Sequence, residues 1–187
     1  MKPYNSNKSK KEEVQQMFNN IAPTYDRLNH LFSLSIDKLW RRRVVRIVRR
    51  MKPSRIMDLA TGTGDLAITL ARRMPKAHIM GVDLSDKMLA VAAEKVRRRG
   101  LDDHIALYQG EAEHLDVGDG VVDVVTVAFG VRNFSDIDTS LQEIKRSLSE
   151  RLISCNEVSM SLKLRTPNAT VTTSTTPSPT SRCSASP

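Results

Sequence analysis

Arg55-Ile56-Met57-Asp58-Leu59-Ala60-Thr61-Gly62-Thr63-Gly64-Asp65 is the stretch from which the fold can be read. Its first half is a short apolar run that predicts a strand over Arg55 to Ala60, and the residues behind it, Asp65 to Met74, carry apolar positions at helical spacing. Glycines in the turn between them let the backbone pass close to a ligand, and the helix N-terminus that follows presents unpaired N–H groups. Gly62-x-Gly64-x-x-Ala67 also satisfies a dinucleotide-binding fingerprint. Asp83 stands about 20 residues on, where a ribose-binding acid is expected. Taken alone, the turn leaves two cofactors open, a nicotinamide dinucleotide and S-adenosylmethionine.

Outward from this turn, strand-like and helical runs alternate, the pattern of a parallel sheet with crossover helices. Ala77 to Val82 predicts a second strand. A helix from about Asp86 to Arg99 follows, with Ser85 as N-cap and Gly100 just past its end. His104 to Tyr108 predicts a third strand, and Val121 to Phe129, a valine-rich run, a fourth one buried on both faces. Ile137 to Leu148 returns to helix. The fold class is therefore α/β and Rossmann-like, a mostly parallel sheet with helices on both faces.

Upstream, apolar residues recur at helical spacing from Glu12 to Leu34, and Pro23 predicts two short helices rather than one. Ile36, Leu39, Trp40, Val44, Ile47, Val48 and Met51 then form one apolar stripe of a helix that Pro53 ends, with Arg41, Arg42, Arg46, Arg49 and Arg50 mostly on a solvated opposite face.

Two features favour S-adenosylmethionine at the turn. Asp58 and Asp65 would repel a pyrophosphate but suit a ligand carrying an ammonium and a sulfonium. Gly110-Glu111-Ala112-Glu113 after the third strand and Ala128-Phe129-Gly130-Val131-Arg132-Asn133-Phe134 after the fourth add polar motifs at strand carboxyl ends, where open α/β sheets bind ligands.

Three segments, Phe18-Asn19-Asn20-Ile21-Ala22-Pro23-Thr24-Tyr25-Asp26-Arg27-Leu28-Asn29, the Asp58 to Asp65 turn and Phe129-Gly130-Val131-Arg132-Asn133, resemble the menaquinone and ubiquinone biosynthesis C-methyltransferases. The resemblance runs from about Lys11 to Leu148. It implies a class I S-adenosylmethionine-dependent methyltransferase fold and methyl transfer to a ring carbon of a polyprenylated quinol, demethylmenaquinol in the branch it most resembles. By motif, it implies that Asp58, Gly62, Thr63 and Gly64 line the cofactor turn, that Asp83 binds ribose hydroxyls, and that Glu111 and Ala112 flank the adenine. Arg132 would stabilise a quinolate oxygen or orient a water as base, with Asn133, Tyr25 and Asp26 shaping the pocket. No metal is implied. A quinol partner raises the expectation of peripheral membrane contact through the amphipathic N-terminal helices or the Arg41 to Arg50 face; a homodimer is a further expectation.

Past Leu148 the resemblance fades. All eight glycines lie between Gly62 and Gly130. Residues 151–160 read as a degenerate fifth strand, and 161–187 as a Ser/Thr/Pro-rich tail too polar to fold, as are residues 1–10. The methyltransferase domain is thus expected over 11–150, lacking its last strands, and a truncated or frame-shifted, catalytically impaired fragment is the alternative function. The net charge of +8 also raises an RNA methyltransferase, but aromatic residues make up only 4% of the chain, too few for base stacking, and no nucleic-acid partner is expected. Two cysteines, Cys155 and Cys183, give neither a disulfide framework nor metal-ligand spacing, which points to a cytoplasmic setting.

Overall fold

A computed structural model of the chain describes residues 9–33 and 36–149, all within one compact unit, Met1–Ile153. The arm over residues 1–8, the strand expected over 151–160 and the tail over 161–187 lie outside the described residues.

Among the described residues four parallel strands form the sheet, β1 (Arg55–Leu59), β2 (His78–Asp83), β3 (Ile105–Gln109) and β4 (Val124–Val127), in the order β3-β2-β1-β4. Around them run α1 (Lys10–Ser33), α2 (Ile36–Arg50), α3 (Asp65–Arg73), α4 (Asp86–Arg97) and α5 (Ile137–Ser147). β1 pairs with both β2 and β4, Asp58 standing opposite Gly81 on one side and Thr126 on the other. The direction of winding therefore reverses at β1, and a crevice opens at the carboxyl ends of β1 and β4.

Alternation along the strands divides the core. Ile56, Ile79, Ile105 and Val124 point to one face, where they pack with Val45 and Val48 of α2, Leu66 and Leu70 of α3 and Val96 of α4. Met57, Leu59 and Val82 point to the other, against Ala112, Leu115, Val122 and the α5 residue Ile144. Helices thus cover both faces, as the sequence predicts. Arg146 fastens α5 by donating to the carbonyls of Leu115 and Val117, at 2.9 and 2.7 Å.

Five expectations need correction. Pro23 does not divide the N-terminal segment, because α1 runs continuously through it from Lys10, a residue expected in the disordered arm. Anchors on both sides hold the helix: Asn19 bonds Ser85 and Asp86 before the proline, and Asp26 bonds Thr63 and Lys95 after it. On α2, Leu39 is 62% exposed instead of joining the apolar stripe, while the Arg41 side chain is only 12% exposed, held by Asp65. The fourth strand is shorter than its valine run. It stops at Val127, and a 3-10 turn, Gly130–Asn133, follows with Gly130 pressed against Ala60 in the turn after β1.

That last contact depends on a missing side chain. A Cβ on Gly130 would lie 2.2 Å from the Cβ of Ala60, itself in a left-handed conformation with φ 55°. Gly130→Ala should therefore cost about 1–3 kcal/mol in urea unfolding. Ala60→Gly, which removes the opposing methyl and suits the positive φ, should restore most of that loss in the double variant.

Candidate functional site

The turn after β1 is fixed from beneath by Asp58. Its side chain is 2% exposed and accepts the hydroxyls of Thr61 and Thr126, both at 2.7 Å, and the backbone N–H of Ala67. Burial pushes its carboxyl up to about 6 against the pull of these donors. From above, Thr61 N–H donates to Val82 O and Gly64 N–H to Thr61 O, each at 3.0 Å. Gly62 and Gly64 take φ values of 58° and 77°, which only glycine adopts without cost.

Asp83 closes β2. One of its oxygens accepts the Gly62 N–H at 2.7 Å, the other the Ser85 N–H at 2.9 Å, and burial raises its carboxyl above the ordinary range. Ser85 caps α4 as expected, accepting from Met88 N–H. Beyond β3, Glu111 pairs with Lys11 of α1 at 2.5 Å, Ala112 is buried, and Glu113 accepts the N–H groups of Ser135 and Asp136. The segments after β3 and β4 are thereby tied to each other across the crevice.

A charged clasp brings α1 down onto the turn. Lys95 of α4 reaches Asp26 at 2.8 Å, Asp65 at 2.5 Å and the Thr63 hydroxyl at 3.1 Å. Thr63 donates to Asp26 at 2.6 Å, and Arg41 of α2 meets Asp65 at 3.1 Å. With both its carboxylate oxygens engaged by cations, Asp65 offers a ligand less charge than its sequence suggests.

Aromatic residues form the outer wall. Trp40 stands edge-on to Phe129, ring centroids 5.3 Å apart, and the Arg132 guanidinium lies 6.0 Å from the same Phe129 ring. Phe18 and Tyr25 of α1 pair edge-on at 6.4 Å. Burial holds the Tyr25 phenol above its ordinary value; the Arg132 charge pulls it down, and the carboxylates of Asp83, Asp26 and Asp65 push it up.

Of the candidate residues, Tyr25, Asp58, Gly62, Thr63, Asp83, Glu111, Ala112, Arg132 and Asn133 all line this one pocket. Gly64 does not. A Cβ there would stand 3.1 Å from that of Ala92, so its place is in close packing of α3 against α4. Sequence reading missed Lys95, which looks like any charged position on a surface helix, and it placed Arg41 on the wrong face. Among the described residues no cluster of His, Cys, Asp or Glu could hold a metal ion.

A family model described as the ubiE/COQ5 methyltransferase family matches residues 6–165. The chain belongs to that family. A demethylmenaquinone methyltransferase of Bacteroides fragilis is 44% identical over 148 residues, covering 79% of this chain and 60% of the relative. The chain thus spans about 60% of the length of the curated relatives it matches. Among solved structures, an S-adenosylmethionine-dependent methyltransferase from Aquifex aeolicus aligns with TM-score 0.51 at 23% identity, covering 56% of this chain and 57% of its own. The cyclase SpnF aligns with TM-score 0.62 at 23% identity, covering 74% of this chain and 56% of its own. These likenesses establish the fold, a parallel α/β sheet shared with S-adenosylmethionine-dependent methyltransferases, and the family implies use of that cofactor.

The family's turn predicts a pH signature. Folded Asp58 holds its proton up to about pH 6, whereas in the unfolded chain it lets go near its ordinary value of 3.8. Between these values the folded state binds the extra proton, so stability from this group falls as pH rises through the window and stays low above it. The loss corresponds to about 3 kcal/mol between roughly pH 4 and pH 7. In urea unfolding at those two pH values, Asp58→Asn should lack this component of the pH dependence while keeping the rest.

Proposed function

We propose that the protein transfers a methyl group from S-adenosylmethionine to a ring carbon of a polyprenylated quinol, demethylmenaquinol being the substrate that the family relatives favour. The observation that carries this reading is the convergence on one pocket of a cofactor half and a substrate half. Asp58, Gly62, Thr63, Asp83, Glu111 and Ala112 lie toward the sheet; Tyr25, Arg132 and Asn133 lie in the α1 and post-β4 walls.

The donor set fits the cofactor. The Asp83 carboxylate accepts the backbone N–H groups of Gly62, Ser85 and Leu84, which leaves a lone pair of its roughly four for a ribose hydroxyl. Buried Ala112 offers a flat apolar flank for an aromatic base, with polar Glu111 beside it. When bound, S-adenosylmethionine supplies a methyl carried on a positively charged sulfur.

Attack by the quinol ring needs electron density from a deprotonated hydroxyl; the carbon–methyl bond would form as the sulfonium–methyl bond breaks and a neutral thioether leaves, and the proton on the methylated carbon would then pass to water as the ring regains aromaticity, so the protein's task is to favour the quinolate and to align it. Arg132 supplies a fixed positive charge at the pocket wall, held in place over Phe129. Tyr25 keeps its proton at neutral pH, so it donates a hydrogen bond to the substrate and does not act as base. Asn133 adds an amide to the same wall. Trp40, Phe18 and Phe129 exclude water and offer apolar surface to a naphthoquinol ring and the start of its tail.

Incubation with methyl-labelled cofactor and a short-tailed demethylmenaquinol should put label on the quinol, and a chain that binds cofactor by calorimetry yet transfers none would overturn the reading. Arg132→Ala should lower kcat about 10²–10³-fold with the cofactor affinity kept, and it should move the acid limb of the rate profile upward. Asp83→Ala should instead weaken cofactor binding by about 10- to 100-fold.

A further inference from the structure

Outside the pocket, α2 and α3 enclose a groove of one charge. Arg42, Arg46 and Arg49 line it from α2, and Arg72 and Arg73 from α3, with Val45 and Thr69 at its floor. Toward the pocket the same groove continues to Arg99, Asp65 and Arg41. The only acid in the α2 sequence is Asp37, and the only one in α3 is Asp65, which already serves Arg41 and Lys95. Arg42, Arg46, Arg49, Arg72 and Arg73 are exposed and form no ion pair among the described residues.

Uncompensated guanidinium groups facing each other across a groove repel, a cost that selection for folding alone would relieve with a nearby carboxylate. Their planar forks match phosphate oxygens in pairs. What else lies on the surface identifies the source of the phosphate. Leu39, 62% exposed, precedes Arg42, Arg43, Arg46 and Arg50 at spacings of three, four, seven and eleven, so an apolar side chain shares the arginine face of α2. Next to it, Trp40 and the 56% exposed Phe129 stand at the pocket wall, and Arg41 lines both the pocket and the groove. An arginine-rich helix face with an exposed leucine at its end, next to exposed aromatic surface, suits a helix that lies on an anionic bilayer.

We propose that the groove between α2 and α3 binds phosphate headgroups of anionic lipids and seats the protein on a bilayer with the pocket wall at Trp40 and Phe129 turned to the lipid. Binding of this kind needs no catalytic turnover. It therefore stands or falls separately from the quinol reading, which the methyl-transfer assay tests.

The test is flotation of the full chain with phosphatidylglycerol vesicles against neutral phosphatidylcholine vesicles, at low and high salt. The wild type should float with the anionic vesicles only, and less at high salt. Arg46→Ala/Arg49→Ala/Arg72→Ala should weaken partitioning about a hundredfold. Lys76→Ala/Lys87→Ala/Lys145→Ala, an equal loss of charge elsewhere on the surface, should keep most of it, and Leu39→Ser should weaken it with the charge intact. Circular dichroism of each variant separates lost binding from lost folding. Absence of flotation by the wild type, equal loss in both triple variants, binding of pyrophosphate without binding of vesicles, or tighter capture of single-stranded RNA than of vesicles would each overturn the proposal.

Discussion

The carboxylate of Asp58 accepts two threonine hydroxyls and a backbone amide in the dry interior, and it joins three separate elements at one point. Thr61 belongs to the turn, Thr126 to β4 and Ala67 to the first turn of α3. A charge so buried is costly unless every lone pair is met. Its burial therefore constrains the turn's backbone, and through the turn the direction of Thr63, Gly62 and the amides that meet Asp83. The clasp of Lys95 with Asp26 and Asp65 builds on that base: once the turn is set, α1 has a fixed place to dock.

Local pattern revealed the sheet and not the clasp. β1 and β2 were legible because strands covered on both faces must be apolar, β3 because a short run with Ile105 and Leu107 on one side sits between turn signals, and Ser85 because an N-cap is chosen by the first turn alone. Lys95 and Asp26 are separated by 69 positions, and nothing near either marks it as half of a pair. Pro23 misled for a related reason. A proline removes one backbone bond from a helix, but the tertiary bonds that offset the loss come from α4, its cap Ser85 and the turn, which no window around residue 23 contains. Arg41 was misplaced because hydrophobic periodicity assigns an arginine to water, whereas here Asp65 offers a better partner.

Likeness of fold constrains the chemistry less than likeness of the walls. SpnF, a cyclase, shares this architecture at TM-score 0.62. What the family sequence adds lies in the segments laid over the sheet: the α1 motif around Tyr25 and Asp26, and the post-β4 turn with Arg132 and Asn133. α1 meets the post-β4 segment over the crevice through Lys10, which donates to the Phe134 carbonyl, while Glu113 after β3 holds the residues just past it.

The reversal of winding at β1 also sets an order of events in time. During synthesis β1 emerges with β2 and β3 close behind, and those three can pair as soon as they leave the ribosome. The turn that follows β1 remains without its support, since the Thr126 hydroxyl that Asp58 needs lies 68 residues downstream. Long-range pairing of this kind forms late. The pocket is thus completed after β1, β2 and β3 are free to pair, and a nascent chain can recognise a ligand only once β4 has joined them.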